Sequence, residues 1–236
     1  MRRALTAIAL GLALAAPASA HDIERAEALL RDIAEHRRAI AEAPTDSERT
    51  EAVFRLGDSV ETLVDAVNTD VAAHGARDLF AELVVKRLHG HGLSVTWAPR
   101  ESRYVYDLAA FQEYLRRAPR GLRAPEASFR LIARRFYATL GPDPSALVET
   151  DVAGLLRAVA DQERFVREHA THARVGTVRF FLAVDRYRLA RNLTDPVKRR
   201  EYERRARQAL QQTVERSPET FEVRAAQTLL EALRRP

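Results

Sequence analysis

Residues 111–136 read FQEYLRRAPRGLRAPEASFRLIARRF, and this stretch decides the fold. A helix pattern ends in an aromatic residue followed by an aliphatic one, a break follows, and a second helix pattern alternates small and large apolar residues. Residues 165–187 repeat the layout at an offset of 51. The matching pairs are Tyr114 with Phe165, Leu115 with Val166, Arg116 with Arg167, Arg123 with Arg174, Phe129 with Phe180, Leu131 with Leu182, Arg135 with Arg186 and Phe136 with Tyr187.

A third copy follows at an offset of 99, where the segment around Pro119 meets the segment around Pro218. Helix hairpins of this kind cannot bury their apolar faces alone, so repeated hairpins stack on one another. The alternative is a chance alignment of amphipathic helices. We favour true repetition because the break falls at the same place each time.

Helical periodicity extends over most of the chain. The residues Val53, Leu56, Val60, Leu63, Val67 and Val71 are three or four positions apart, which predicts one apolar helix face. Thr45 and Glu48 have the spacing of a capping box just before it. Further helices are predicted over residues 22–42, 78–89, 108–118, 124–140, 152–168, 173–192, 196–216 and 218–235.

One segment breaks the helical pattern. Residues 93–97 and 104–106 are rich in β-branched and aromatic side chains, and Pro99 lies between the two stretches. This pattern predicts a small β-hairpin near residues 93–106.

The N-terminus has the three parts of a secretory signal. Arg2 and Arg3 precede a short apolar run, and Ala18 and Ala20 give the small-residue cleavage site. We therefore expect residues 1–20 to be removed, which leaves a periplasmic or secreted protein without a transmembrane anchor. No cysteine is present to carry a lipid or a disulfide.

The composition narrows the classes of partner. Removing residues 1–20 takes away two arginines and no acid, so the formal net charge falls from +5 to +3. Lys86 and Lys198 are the only lysines, so nearly all positive charge is arginine. A basic balance can indicate nucleic-acid binding. Export argues against nucleic acid and favours acidic protein faces or anionic envelope polymers.

The stretch from Phe111 to Pro119 followed by Ala124 to Leu131, and the similar stretch from Ala209 to Pro218, resemble divergent tetratricopeptide repeats of bacterial envelope proteins. The similar types are the Tol–Pal-associated coordinator of cell division and the outer-membrane-assembly lipoprotein. The resemblance covers residues 107–235, but its spacing exceeds the usual ~34 residues and Ala170 replaces the expected proline. It implies an all-α helical-hairpin solenoid that binds proteins.

The expected organisation is a signal peptide (1–20), an N-terminal helical region with the hairpin insert (21–106) and the repeats (107–236). The expected function is a non-enzymatic adaptor of the cell envelope that needs no cofactor and binds a protein segment in the concave face of the repeats. A homo-oligomer is compatible with this arrangement. The predicted contact residues are Arg116, Arg123, Arg130, Arg174 and Tyr187, of which Arg123 and Arg174 recur at one repeat position.

Histidines raise an alternative, a periplasmic copper or zinc protein. Two pairs, His89 with His91 and His169 with His172, have chelating spacings, and cleavage would make His21 the N-terminal residue. A site needs three or four converging ligands. Histidines at helix ends also suit the helix dipole without any metal, and we favour that interpretation.

A second alternative is a cell-wall-acting enzyme. Glu101 and Ser102 precede an aromatic residue nearby, a fragment similar to that of lytic transglycosylases, where the glutamate is the general acid. Because Glu101 lies in an expected turn, we favour a solvated turn residue.

Overall fold

The computed structural model describes residues 22–75, 78–99, 101–139, 151–216 and 221–233. Within these residues the chain is mostly helical, with nine α-helices and one two-stranded antiparallel hairpin, which confirms the predicted mostly helical class and its hairpin insert. The predicted signal segment, residues 1–20, lies outside the described residues, as does His21. The helices are α1 (Ile23–Glu42), α2 (Asp46–His74), α3 (Leu79–Gly90), α4 (Ala109–Arg117), α5 (Ala124–Thr139), α6 (Val152–Glu168), α7 (Val175–Asn192), α8 (Pro196–Arg216) and α9 (Phe221–Ala232); the strands are β1 (Val95–Ala98) and β2 (Arg103–Tyr106).

The chain divides into two compact units, the first ending at Ala127 and the second beginning at Ser128. The boundary falls inside α5, after its first four residues. Each unit has its own apolar core.

Helix α2 is the centre of the first unit, and α1, α3, α4 and β2 all pack against it. It begins with the predicted capping box: the Glu48 backbone N–H donates to Thr45 Oγ1 at 3.2 Å, and the Thr45 N–H donates to Glu48 Oε2 at 3.2 Å. The apolar face predicted for α2 is buried in full, from Val53 to Val71. Local spacing alone therefore identified the core of this unit.

Gly57 allows α4 to lie close against α2. A Cβ atom at this position would lie 3.1 Å from the ring of Phe111 and 3.2 Å from the Cβ of Ala110. Phe111 is fully buried there and makes an edge contact with Phe54. A side chain at position 57 would therefore force the Phe111 ring and Ala110 to move away from α2.

The hairpin pairs Val95 with Tyr106 and Trp97 with Tyr104. The rings of Trp97 and Tyr104 meet edge to face, with centroids 5.2 Å apart. Asn68 of α2 holds the edge of β2: its Nδ2 donates to the Tyr104 carbonyl at 2.9 Å, and its Oδ1 accepts from the Tyr104 N–H at 2.7 Å. The Asn68 amide thus pairs with both backbone groups of Tyr104, as a residue of a neighbouring strand would.

Two further contacts fix the ends of the hairpin. The buried Tyr106 hydroxyl accepts a hydrogen bond from the Ala110 backbone N–H at 3.0 Å, which ties β2 to the start of α4. His89 Nε2 lies 2.7 Å from the Val95 carbonyl oxygen. Because a carbonyl only accepts, Nε2 carries the proton.

The second unit is built around α7, which packs against α6, α8 and α9. Its core is aromatic and contains Phe129, Phe136, Phe165, Phe180 and Phe181, with the rings of Phe136 and Phe181 stacked at 4.0 Å. Tyr137, beside Phe136 on α5, is by contrast 46% exposed. Of the described helices, none combines the length and apolarity needed to cross a membrane.

Candidate functional site

The two predicted repeat breaks form turns with the same backbone geometry. Turn A covers residues 118–123 between α4 and α5, and turn B covers residues 169–174 between α6 and α7. Four backbone hydrogen bonds recur at an offset of 51, with lengths that differ by 0.1 Å or less. They are Ala118 N to Tyr114 O and His169 N to Phe165 O; Gly121 N to Ala118 O and His172 N to His169 O; Ala124 N to Gly121 O and Val175 N to His172 O; Ala127 N to Arg123 O and Val178 N to Arg174 O.

Turn B forms this geometry with Ala170 where turn A has Pro119. The proline is therefore not required for the turn. The third repeat break cannot be compared in the same way, because residues 217–220 lie outside the described part of the chain.

The two turns satisfy one backbone donor with different side chains. In turn A the Arg123 N–H donates to the Tyr114 hydroxyl at 3.0 Å. In turn B the equivalent Arg174 N–H donates to His172 Nδ1 at 3.2 Å. Tyr114 and Gly121 are thus replaced by Phe165 and His172 without loss of the hydrogen bond.

Arg123 and Arg174 also place their guanidinium groups in the same way. Each lies 5.4 Å from an aromatic ring centroid, Phe54 for Arg123 and Phe129 for Arg174. This distance is within the range of a cation–π contact. Stacking orients the planar group. Arg123 Nε also lies 3.9 Å from Glu51 Oε1 of α2, so this guanidinium has an acidic neighbour within its own unit.

Arg116 is held differently. It lies in the last turn of α4 and makes a two-pronged contact with Glu113, at 2.8 and 2.7 Å. The hydrogen bonds from Arg116, followed by those from Arg117, lower the pKa of the Glu113 carboxyl to about 2. Arg116 therefore has a resident acidic partner, although two thirds of its side chain is exposed.

The remaining predicted contacts belong to the second unit. Arg130 is half-buried on α5, and Tyr187 is half-buried on α7 at the position equivalent to the buried Phe136. Arg116 thus precedes turn A and Arg123 is its last residue, both in the first unit. Arg130, Arg174 and Tyr187 lie in the second unit.

Leu122 is a feature that the sequence did not single out. It lies in turn A between Arg120 and Arg123, and 92% of it is exposed. Turn B has Ala173 at the equivalent position and forms the same hydrogen bonds. The turn forms the same hydrogen bonds with alanine at this position, so these bonds do not require a leucine.

A buried polar network in the second unit was also missed. Arg188 donates to Asp185 Oδ1 at 2.9 Å, and Gln162 Nε2 donates to Asp185 Oδ2 at 2.7 Å. Arg188 also donates to the Thr139 hydroxyl at 2.9 Å and lies over the ring of Phe136. It thereby fastens the end of α5 to α7.

Comparisons with protein families, characterised proteins and solved structures find no match for this chain. The site must therefore be judged on its own geometry.

The histidine pairs have contacts of their own. His89 donates to the Val95 carbonyl, and His172 accepts from the Arg174 N–H. His169 and His172 both meet the Phe165 ring edge to face. Within the described ranges, no group of three or more metal-ligating side chains is placed to hold a metal ion.

Glu101 lies in the turn of the hairpin, as expected from the sequence. Its Oε2 accepts from Arg103 Nε at 3.0 Å.

Proposed function

We propose that this chain is a periplasmic, non-enzymatic adaptor whose tetratricopeptide-like helix hairpins bind an acidic segment of an envelope protein. Each unit has its own contact surface at its turn, with Leu122 and Arg123 at turn A in the first unit and Arg174 at turn B in the second. Arg116, Arg130 and Tyr187 are the flanking contacts.

The observation that carries the proposal is the exposed Leu122. Turn B serves as an internal control, because Ala173 supports the same backbone hydrogen bonds. Leu122 is an apolar side chain at the surface with arginines beside it in the chain, and a partner protein could cover the leucine while the arginines form a polar rim.

The stacked arginines support the same proposal. Arg123 and Arg174 occupy one repeat position, and each presents its guanidinium over an aromatic ring. Arginine forms paired hydrogen bonds with carboxylates, and a pre-oriented group loses less entropy on binding. Two such groups favour an acidic partner.

The test is crosslinked capture from envelope extract with tagged residues 21–236. We expect Leu122→Ala to abolish capture of one dominant partner and to leave the midpoint of thermal unfolding unchanged, because turn B folds with alanine. Leu83→Ala is the matched control, since Leu83 is 61% exposed on α3 of the same unit.

A second variant tests the arginines. Arg123→Ala/Arg174→Ala should weaken capture and also lower stability by about 0.5–1 kcal/mol for each lost stacking contact. The control is Arg157→Ala/Arg164→Ala, which removes two exposed arginines of α6. Unchanged capture by both Leu122→Ala and the arginine double variant would exclude this surface.

A further inference from the structure

Positive charge is concentrated around the start of α8. Residues 191–207 contain seven basic residues and three acidic ones, a net charge of +4 in seventeen residues. The whole chain carries +5. The rest of the protein is therefore close to neutral, and one short segment holds most of the excess.

The acidic residues of this segment have local partners. Asp195 caps α8 by accepting from the Val197 backbone N–H at 2.8 Å. Glu201 pairs with Arg205, and Glu203 pairs with Arg207 at 3.1 Å, each one helical turn apart.

The other arginines of the segment have no such partner. Arg191, Arg199, Arg200 and Arg204 are exposed, and no carboxylate in the described part of the chain pairs with them. Arg199, Arg200 and Arg204 lie on α8 and Arg191 lies in the last turn of α7. This unbalanced group of arginines is the feature that needs an explanation.

Helix α8 fixes the direction of this group. Ala206 and Leu210 are fully buried and anchor one face of the helix in the second unit. Val197, Arg200 and Arg204 follow one another at spacings of three and four, so they lie on the outward face. Val197 is 72% exposed at the beginning of this face.

We propose that the outward face of α8 binds the surface of a membrane that contains anionic phospholipids. Arginine forks form paired hydrogen bonds with phosphate groups. A helix face with arginines and an exposed valine can rest on headgroups while the valine enters the interface.

This inference does not depend on the adaptor function. The contacts proposed for protein binding lie at turns A and B, whereas the membrane contact lies on α8. Variants of one surface leave the other intact, so the two proposals can fail separately.

The experiment is co-sedimentation of residues 21–236, which contain every described residue, with lipid vesicles. Vesicles of phosphatidylcholine alone are compared with vesicles that also contain phosphatidylglycerol. We expect binding only to the anionic vesicles, and loss of that binding at high salt. Arg200→Gln/Arg204→Gln should weaken the partition coefficient about 25-fold, at about fivefold for each cation.

The control variant is Arg157→Gln/Arg164→Gln on α6, which removes the same charge from another exposed face of the second unit. It should change the partition coefficient less than about twofold, because distant charges are screened. Equal binding to neutral vesicles, or equal loss in the two double variants, would overturn the proposal. Binding to polyglutamate but not to vesicles would assign the face to an acidic protein instead.

Discussion

At the scale of single residues, turns A and B are two solutions to one backbone problem. Both must satisfy the N–H of the arginine that precedes the second helix. Turn A uses the Tyr114 hydroxyl, and a Cβ atom at Gly121 would lie 2.6 Å from that oxygen. In turn B the acceptor is His172 Nδ1 instead of a hydroxyl. The residue equivalent to Tyr114 is Phe165, which has no hydroxyl and meets the His172 ring edge to face.

This exchange predicts a coupling between positions 114 and 121. Gly121→His alone should destabilise the protein by about 1–3 kcal/mol, because its Cβ would lie 2.6 Å from the Tyr114 hydroxyl and 2.9 Å from the Ala118 Cβ. Tyr114→Phe relieves the first of these two contacts. Tyr114→Phe alone loses a hydrogen bond worth about 1 kcal/mol. The double variant Tyr114→Phe/Gly121→His copies turn B and should cost at least ~0.5 kcal/mol less than the two singles together.

The measurement is the free energy of unfolding in urea for the four proteins of the cycle. The matching substitution in turn B, His172→Gly, should destabilise because it leaves the Arg174 N–H without its acceptor. Strict additivity of the two changes in turn A would show that the turns are not equivalent.

The residue scale also shows where the sequence was insufficient. Leucine is more often buried than exposed, so the 92% exposure of Leu122 could not be predicted from its residue type. Arginine is ordinarily a surface residue, yet Arg188 is buried together with Asp185. Both outcomes depend on contacts between elements, which local spacing does not encode.

At the scale of secondary-structure elements, prediction succeeded where the signal is local. The capping box of Thr45 and Glu48 and the buried face of α2 follow from spacings within one helix. The hairpin followed from side-chain type and a central proline. Its attachment did not, because Asn68 reaches Tyr104 across 36 residues of chain.

The buried Tyr106 makes the stability of the first unit dependent on pH. Burial raises the pKa of its hydroxyl to about 12, with smaller contributions from the charges of Asp107 and Glu61. In the unfolded chain a tyrosine has a pKa of about 10. The folded state therefore holds the proton more tightly, so this contribution to stability is present below pH ~10 and is lost as the pH rises toward ~12.

We expect the free energy of unfolding to fall by roughly 1–2 kcal/mol between pH ~9 and ~12 on account of Tyr106. Tyr106→Phe should be less stable at pH ~9, since the Ala110 N–H loses its acceptor, but should show a smaller decline. Trp97→Phe, a change in the hairpin that leaves the titrating group in place, should retain the full decline. A decline of equal size in Tyr106→Phe would assign it to other groups.

At the scale of the whole molecule, the two units have separate cores, one centred on α2 and one on α7. Leu63 and Leu210 form a matched pair, because each is a fully buried leucine in the core of its unit. Removing either side chain to Cβ should cost about 2–5 kcal/mol within its own core. If the substitution destabilises only the unit that contains it, the two units open independently.

We expect amide hydrogen exchange to separate the two variants. Leu63→Ala should accelerate exchange in α1, α2 and α4, and Leu210→Ala should accelerate it in α6 to α9, because local opening follows the unit that has lost its packing. Helix α5 contains the boundary and should respond in its first turn to one variant and beyond it to the other. Equal acceleration throughout the chain in both variants would mean that the protein opens as one cooperative structure. Substitutions at turn A would then also alter binding at turn B, and the Leu122→Ala result would have to be interpreted through stability as well as contact.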